Sequence, residues 1–323
     1  MVMTIEGKRV LITGGAGFIG SHLVDRVLQD GPEDLVVVDN FYLGNADNIE
    51  SAKSRFRDLR VYRIDASNPS TMQDIAQRHA IDVVYSLAVV PLVTSLDFPA
   101  WTVDVNTSLA TTACELVRRG LVERLVHCSS SEVYGSAQMV PMTEDHVLGA
   151  ETPYAASKAA GDLIVQSFVK TFGIDATVLR PFNNFGPRQN ADAYAGVIPI
   201  VIRRVLRGVP IEIHGDGNQT RDFIYVKQTA DLLVQAYSQG SRDGTPVNIG
   251  SGIETSINEL VSRILNLMGR ADHPIIHTSP RPGDVLRHSA GISRSEQLFH
   301  FQQRPISDAD LLETIEWYLE FFA

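Results

Sequence analysis

Short apolar runs recur along the first half of the chain, and a stretch with helical spacing follows most of them. "RVLITGG", "DLVVVDN", "RVYRID", "DVVYSLAV" and "RLVHCSS" read as five successive buried strands, with "ATVLRPF" as another. Between them, the stretch from about Gly17 to Leu28, "STMQDIAQRHA" and "NTSLATTACELVRRG" carry apolar residues at helical spacing. "PYAASKAAGDLIVQSFVKTFG" reads as a long helix with Pro153 in its first turn and Gly173 at its end. Strands that are apolar throughout and alternate with helices imply βαβ units, hence a parallel sheet covered on both faces. The expected fold is α/β, a Rossmann-like doubly wound sheet.

The texture changes after Pro181. "NNFGPRQNADAYAG" reads as loop, "GVIPIVIRRVLRG" as helix, and "DFIYVKQTADLLVQAY" as a returning strand and helix. "TSINELVSRILNLMG" and "DADLLETIEWYLEFF" are two further amphipathic helices. The expected division is a nucleotide-binding domain over 1–180 and a smaller, interleaved substrate domain over 181–323. The chain should cross back to the first domain around 222–250, and no linker-like segment separates the two.

Composition narrows the function. The net charge of −10 argues against a general nucleic-acid or membrane-surface binder, so anionic partners must be met by individually placed arginines. The cysteines Cys114 and Cys128 are too few for a disulfide scaffold. The apolar run near the N-terminus is short and ends in glycines, unlike a signal peptide, and a cytoplasmic address is expected. His273, His277 and His288 have no tight ligand grouping, and no metal is expected.

"TGGAGFIG" places Gly14, Gly17 and Gly20 directly after a strand and at the opening of a helix. Glycines there let backbone amides approach a pyrophosphate at the positive end of the helix. Asp39 follows about twenty residues on, at the end of the second strand, where a carboxylate accepts from the adenosine ribose hydroxyls. Its charge repels a 2′-phosphate, so the expected cofactor is NAD. Phe18, Ile19 and Asn40 lie within reach of the same site, and Asp65 ends the third strand near the adenine. Tyr154 and Lys158 stand four apart, on one face of a helix. A nearby ammonium lowers a tyrosine pKa, which suits the phenol to exchange a proton with a sugar hydroxyl.

Taken in order, "TGGAGFIG", "SSSEVYG", "PYAASK", "LRPFNNFGPRQ", "GDGNQTRDFIYV" and "RPGDV" resemble the extended short-chain dehydrogenase/reductase family, in its nucleotide-sugar epimerase/dehydratase branch. The resemblance covers nearly the whole chain. It implies that Ser130 joins Tyr154 and Lys158 in catalysis, and that Lys158 also holds the nicotinamide ribose. It further implies that Asn183, Arg221 and Arg281 contact a substrate diphosphate and that Asp284 takes the nucleoside ribose. "DVLRHS" is most similar to UDP-sugar enzymes, so UDP is the favoured nucleotide. Two positions depart from the family: Ser86 stands where a histidine is usual, and Val89 where an alanine is usual.

Glu132 sits where the family's dehydratases and decarboxylases carry a glutamate, whereas its neighbour Ser131 replaces the aspartate of dTDP-glucose dehydratases. The leading reading is a 4,6-dehydratase working through a 4-keto sugar, with Glu132 and Ser131 completing the catalytic set. A UDP-hexose 4-epimerase is the alternative. A UDP-glucuronate decarboxylase, with Arg188 reading the uronate carboxylate, and a non-catalytic NAD-sensing protein stand behind them. A homodimer paired through helices around 107–119 and 154–172 is expected.

Overall fold

The computed structural model describes residues 4–191, 196–279 and 286–323. Its strands are β1 (Arg9–Thr13), β2 (Asp34–Val38), β3 (Arg60–Tyr62), β4 (Val83–Ser86), β5 (Arg124–Cys128), β6 (Ala176–Pro181), β7 (Asn183–Phe185), β8 (Ile211–His214), β9 (Thr220–Tyr225), β10 (Asp243–Ile249), β11 (Glu254–Ser256) and β12 (Ile275–Thr278). The helices are α1 (Phe18–Gln29), α2 (Glu50–Arg55), α3 (Pro69–Arg78), α4 (Leu92–Asp97), α5 (Pro99–Arg118), α6 (Pro153–Phe172), α7 (Val197–Leu206), α8 (Val226–Gln239), α9 (Ile257–Leu267), α10 (Ser293–Phe299) and α11 (Asp308–Phe321).

Seven parallel strands form the central sheet in the order β10-β6-β5-β4-β1-β2-β3. Strand residues alternate between its two faces. Val10 and Ile12 pack with Leu23, Val24 and Val27 of α1 and with Leu232 and Leu233 of α8. Leu11 faces the other way, against Met72 and Ile75 of α3 and Leu109 and Leu116 of α5. Burial of each such side chain contributes about 1.5–3 kcal/mol, and it explains why these strands are apolar throughout. The strand order reverses between β4 and β1, and a crevice opens there at the carboxyl ends of the strands.

The second unit has its own core, in which Ile198, Val201 and Ile202 of α7 meet Leu260 and Ile264 of α9 and Leu311 and Ile315 of α11. It carries a three-stranded sheet, β11-β9-β7, and a two-stranded one, β12-β8. The chain then returns, because α8 packs on α1 and β10 becomes the edge strand of the central sheet beside β6. Two local readings differ from the sequence expectation. Asn183–Phe185, read as loop, is a strand because it pairs with β9. Helix α5 begins at Pro99, earlier than its apolar pattern, since its first two turns run over partly exposed surface. Helix α6 is bounded as expected: Thr152 Oγ1 accepts from the Ala155 amide at 3.1 Å, and Gly173 ends the helix at φ 69°.

Asp222 of β9 is a buried rivet between segments. It accepts from Ser251 N and Oγ (each 2.7 Å), Gly252 N (2.9 Å) and Ala290 N (3.0 Å). Asp222→Ala leaves these buried donors without a partner. It should lower unfolding stability by about 3 kcal/mol or more, read from the urea midpoint.

Candidate active site

One continuous cavity of about 1210 Å³ runs from the glycine-rich turn, past the carboxyl ends of β4 and β5, to the second unit. Gly14, Gly17, Phe18, Ile19, Gly20, Asp39, Asn40 and Asp65 line its first part. The turn admits only glycine at two points. Gly14 has φ +71°, and a Cβ there would lie 2.8 Å from the Ala88 amide nitrogen; at Gly20 it would lie 2.1 Å from the Gly14 carbonyl oxygen. Asp39 braces the turn, accepting from the Ala16 amide at 2.9 Å and the Phe41 amide at 2.8 Å. Burial pushes its carboxyl above the ordinary range, and those two bonds oppose the shift. The Asn40 side chain accepts from the Tyr42 amide at 2.9 Å, and Asp65 accepts from the Ser67 amide at 2.8 Å.

A dinucleotide fits this arrangement. The cradle at Gly14 and Gly20 is one that side chains would fill, the amides that open α1 have no side-chain cap, and Asp39 stands at the end of β2. NAD would lie along the turn with Asp39 toward its ribose.

Ser129, Ser130, Glu132, Tyr154 and Lys158 line the middle of the cavity. Ser130 leaves the end of β5 and caps a short 3₁₀ turn over Ser131–Tyr134, its Oγ accepting from the Glu132 amide at 3.2 Å. Burial raises the Tyr154 phenol above its ordinary value; hydrogen bonding to Ser130 opposes this and the negative field of Glu132 adds to it. Lys158 lies one turn further along α6, but its Nζ donates to the Cys128 carbonyl at 2.6 Å. The ammonium expected one turn from the phenol is thus anchored to the strand end. A buried ammonium needs an acceptor, and burial lowers its pKa. Burial also raises the Glu132 carboxyl, opposed by the positive charge of Arg221 and reinforced by Glu151.

Ser131, the other catalytic candidate on the turn, is placed differently from Ser130 and Glu132. It is 4% exposed and is not among the residues lining the cavity, because successive side chains of the 3₁₀ turn diverge. Arg188 lines the cavity, but its Nη1 donates to Asp25 at 2.7 Å, and the same carboxylate also takes Arg55. Asn183 and Arg221 face the cavity from the second unit. Asn183 donates to the Asp222 carbonyl at 3.2 Å, and Arg221 Nη1 to the Thr220 carbonyl at 2.9 Å. Arg281 and Asp284 lie outside the described residues.

Beneath these groups lies a buried layer that sequence reasoning missed. Arg180 of β6 donates to Asp162 of α6 at 2.8 Å and to the Tyr134 hydroxyl at 2.9 Å. Tyr134 donates to Asn248 of β10 at 2.6 Å, and Asn248 donates to the Met142 carbonyl at 2.8 Å. The only available signal was charged residues within apolar patterns, at Arg180 in "ATVLRPF" and Asp162 in α6. Cys114 and Cys128 are buried free thiols. His127 is buried with both ring nitrogens unpartnered, and burial pushes its pKa down to about 3. Among the described residues, no group of His, Cys, Asp and Glu side chains is arranged to hold a metal, and no helix is long and apolar enough to cross a membrane.

A family model described as the NAD dependent epimerase/dehydratase family matches residues 10–250. A UDP-glucose 4-epimerase of Mycolicibacterium smegmatis is 32% identical over 96% of this chain and 98% of its own length. The solved UDP-N-acetylglucosamine 4-epimerase from Methanobrevibacter ruminantium, in complex with UDP-N-acetylmuramic acid, superposes with a TM-score of 0.90 at 30% identity, covering 98% of this chain and 99% of that one. The dTDP-glucose 4,6-dehydratase DesIV from Streptomyces venezuelae, solved with NAD bound, gives 0.87 at 29% identity over 97% of each chain.

The carboxylate of Asp39 sets a test at the cofactor site. The apoprotein should bind NAD more tightly than NADP by roughly tenfold or more, because a 2′-phosphate would face a buried negative charge. Asp39→Ala should narrow that ratio while weakening NAD as well, since Asp39 also braces the glycine turn. Calorimetric titration with each nucleotide checks both.

Proposed function

The chain belongs to the NAD-dependent epimerase/dehydratase family of nucleotide-sugar enzymes, and on that premise we propose that it oxidises a nucleotide-diphosphate sugar at C4 and then eliminates water across C5 and C6. The observation that carries this reading is Glu132, a partly buried carboxylate lining the same stretch of cavity as Tyr154 and Ser130.

NAD, when bound, would supply the acceptor for the C4 hydride; after elimination of water that hydride would return to C6 while C5 takes a proton from solvent. Tyr154 takes the proton of the 4-hydroxyl, with Ser130 lining the same part of the cavity. Lys158 adds fixed positive charge one turn away and holds the cofactor's nicotinamide ribose. The 4-keto group acidifies C5–H, which Glu132 removes. The raised pKa of Glu132 suits it to hold that proton and deliver it to the departing C6 hydroxyl, which leaves as water. Ser131 then has no part in the chemistry. Asn183 and Arg221 contact the diphosphate from the cavity wall, and the resemblance adds Arg281 to that role; Asp284 takes the nucleoside ribose, and UDP is the nucleotide.

A second reading is 4-epimerisation, which needs only Tyr154, Lys158 and Ser130. Two observations favour it: Ser131 is turned away from the cavity, and the epimerase from Mycolicibacterium smegmatis aligns over almost the whole chain. Decarboxylation of a uronate is weaker, because Arg188 is engaged by Asp25. The protein would work as a homodimer, with α5 and α6 side by side and Leu163 (56% exposed) and Phe172 (54% exposed) on α6 available to a second copy. Light scattering at micromolar concentration should give twice the chain mass; a single-chain mass rejects this pairing.

Glu132→Gln separates the two chemistries. Under dehydration, wild type places solvent deuterium at C5 of the product, while the variant still oxidises C4 but accumulates the 4-keto sugar. Because Glu132 must be ionised to act and burial raises its pKa, the acid limb of kcat should lie above the ordinary carboxylate range. Interconversion of C4 epimers with no deuterium at C5, and indifference to Glu132→Gln, would establish the epimerase instead. Product NMR reads either outcome.

A further inference from the structure

Two half-exposed aromatic side chains meet across the open side of the cavity's first part. Tyr42 comes from the loop after β2 and Trp101 from the first turn of α5. Their ring centroids lie 5.6 Å apart at 76°, an edge-to-face contact. Both line the cavity, yet they are 47% and 43% exposed. Rings this open add little to the core, and both border a ligand cavity.

Each ring stands at the outer end of a wall that begins in the core. On α5 the residues lining the cavity are Trp101, Val105 and Leu109, spaced by four and so on one face of the helix. Leu109 belongs to the same buried cluster as Ala66, and Val105 packs against it, beside Asp65 and the expected adenine site. On the facing side Asp39 is buried at the end of β2, and Tyr42 follows it in the chain. The walls are thus buried at Leu109 and Asp39, and they touch where they open to solvent.

The contact is braced from both sides. The Tyr42 amide donates to Asn40 Oδ1 at 2.9 Å, and the Phe41 amide to Asp39 Oδ1 at 2.8 Å. Phe41 is held at φ 58°, a left-handed conformation that disfavours its side chain, so these bonds fix the direction in which Tyr42 leaves the turn. Trp101 meets Phe98 edge-on, with centroids 6.5 Å apart. The Thr102 hydroxyl donates to the Phe98 carbonyl at 3.0 Å and holds the start of α5. The side chains that orient Tyr42 therefore belong to Asp39 and Asn40, which line the cofactor end of the cavity themselves.

The chemistry proposed above takes a hydride from the sugar and returns it within one turnover. A cofactor used in this way gains nothing by leaving, so a contact that slows its release costs no turnover.

We propose that Tyr42 and Trp101 form a clasp on the cofactor: a dinucleotide held at Asp39 lies on the inner side of their contact, and the rings must part before it enters or leaves. This rests on the reading of the glycine turn and Asp39 as an NAD site. In the test, protein loaded with radiolabelled NAD is mixed with excess unlabelled NAD, and the label still bound is counted after rapid gel filtration. Tyr42→Ala and Trp101→Ala should each release label faster by roughly threefold or more, which is the scale of one ring contact. The double variant should be no faster than the quicker single one, because either change opens the same contact. Tyr42→Phe keeps the ring and should release as slowly as wild type. Both side chains are half exposed, so all variants should unfold at the wild-type urea midpoint. A smaller change in either alanine variant, or accelerations that multiply in the double variant, overturns the clasp alone. Fast release from Tyr42→Phe also overturns it, by placing the effect on the hydroxyl instead of the ring contact. A wild type that binds no NAD overturns the cofactor reading and the clasp with it.

Discussion

Arg180 is the constraint on which the site depends. A guanidinium only 2% exposed, in the last part of a central strand, is tolerable only if its donors find fixed acceptors. Those acceptors are Asp162, wholly buried on α6, and the hydroxyl of Tyr134 at the end of the 3₁₀ turn. The Arg180 Nη1 also approaches the Glu144 carbonyl at 3.5 Å. The pairing locks three things that must keep register for chemistry: the strand end, the helix carrying Tyr154 and Lys158, and the turn carrying Glu132. Apolar replacements of similar volume would pack as well, but they would leave the helix and turn free to slide. Removing one partner is a different matter, since an uncompensated buried charge costs about 3–5 kcal/mol. The value of the layer is therefore geometric before it is energetic.

The same layer explains how the second unit is held over the first. Tyr134 passes the network to Asn248 on β10, which belongs to the central sheet although the chain has already built β7, β8 and β9. Asn248 in turn donates to the carbonyls of Met142 and Gly291, and its amide donates to Glu144. Asp222 binds the loop after β10 and the segment around Ala290 from the other side. The returning strand thus makes the cavity wall a product of both units. Arg221 and Asn183 face Glu132 and Tyr154 across a gap whose two sides are joined by buried hydrogen bonds.

Much of the central sheet was legible because parallel strands covered on both faces must be apolar throughout. The runs around Val10, Val36, Val84, Val126 and Val178 all became strands. Helix α6 was legible at both ends, since Pro153 and Gly173 are start and stop signals with a backbone reason. β7 was not, because Asn183 and Asn184 are poor strand formers placed there by pairing with β9, a nonlocal contact. In the site, motif residues such as Gly14, Asp39, Ser130 and Tyr154 were readable, and they line one cavity. Side-chain direction was not readable. Spacing put Lys158 one turn from Tyr154 but did not show that the Cys128 carbonyl anchors its ammonium; the family resemblance suggested Ser131, which the structure buries outside the cavity lining. Asn106 looked like one more polar residue on a helix until the structure placed it between Val90 and Ser157.

These features divide the site into a fixed part and a part carried outside the sheet. In the proposed chemistry proton removal at the 4-hydroxyl falls to Tyr154, with Ser130 and Lys158 near it, and those side chains are set by the ends of β5 and α6. In that reading the fate of the oxidised sugar rests with a group supported differently. Glu132 is carried not by the strand itself but by the short turn that Tyr134 anchors through Arg180. The loop that leaves β4, Leu87 to Leu92, is held at Val90 by the side chain of Asn106. Under the proposed reading the oxidation step rests on the fixed part, while the turn and the loop, which line the same cavity, are supported separately from it. In this chain the turn bears a carboxylate whose pKa burial has raised and the loop bears only hydrocarbon.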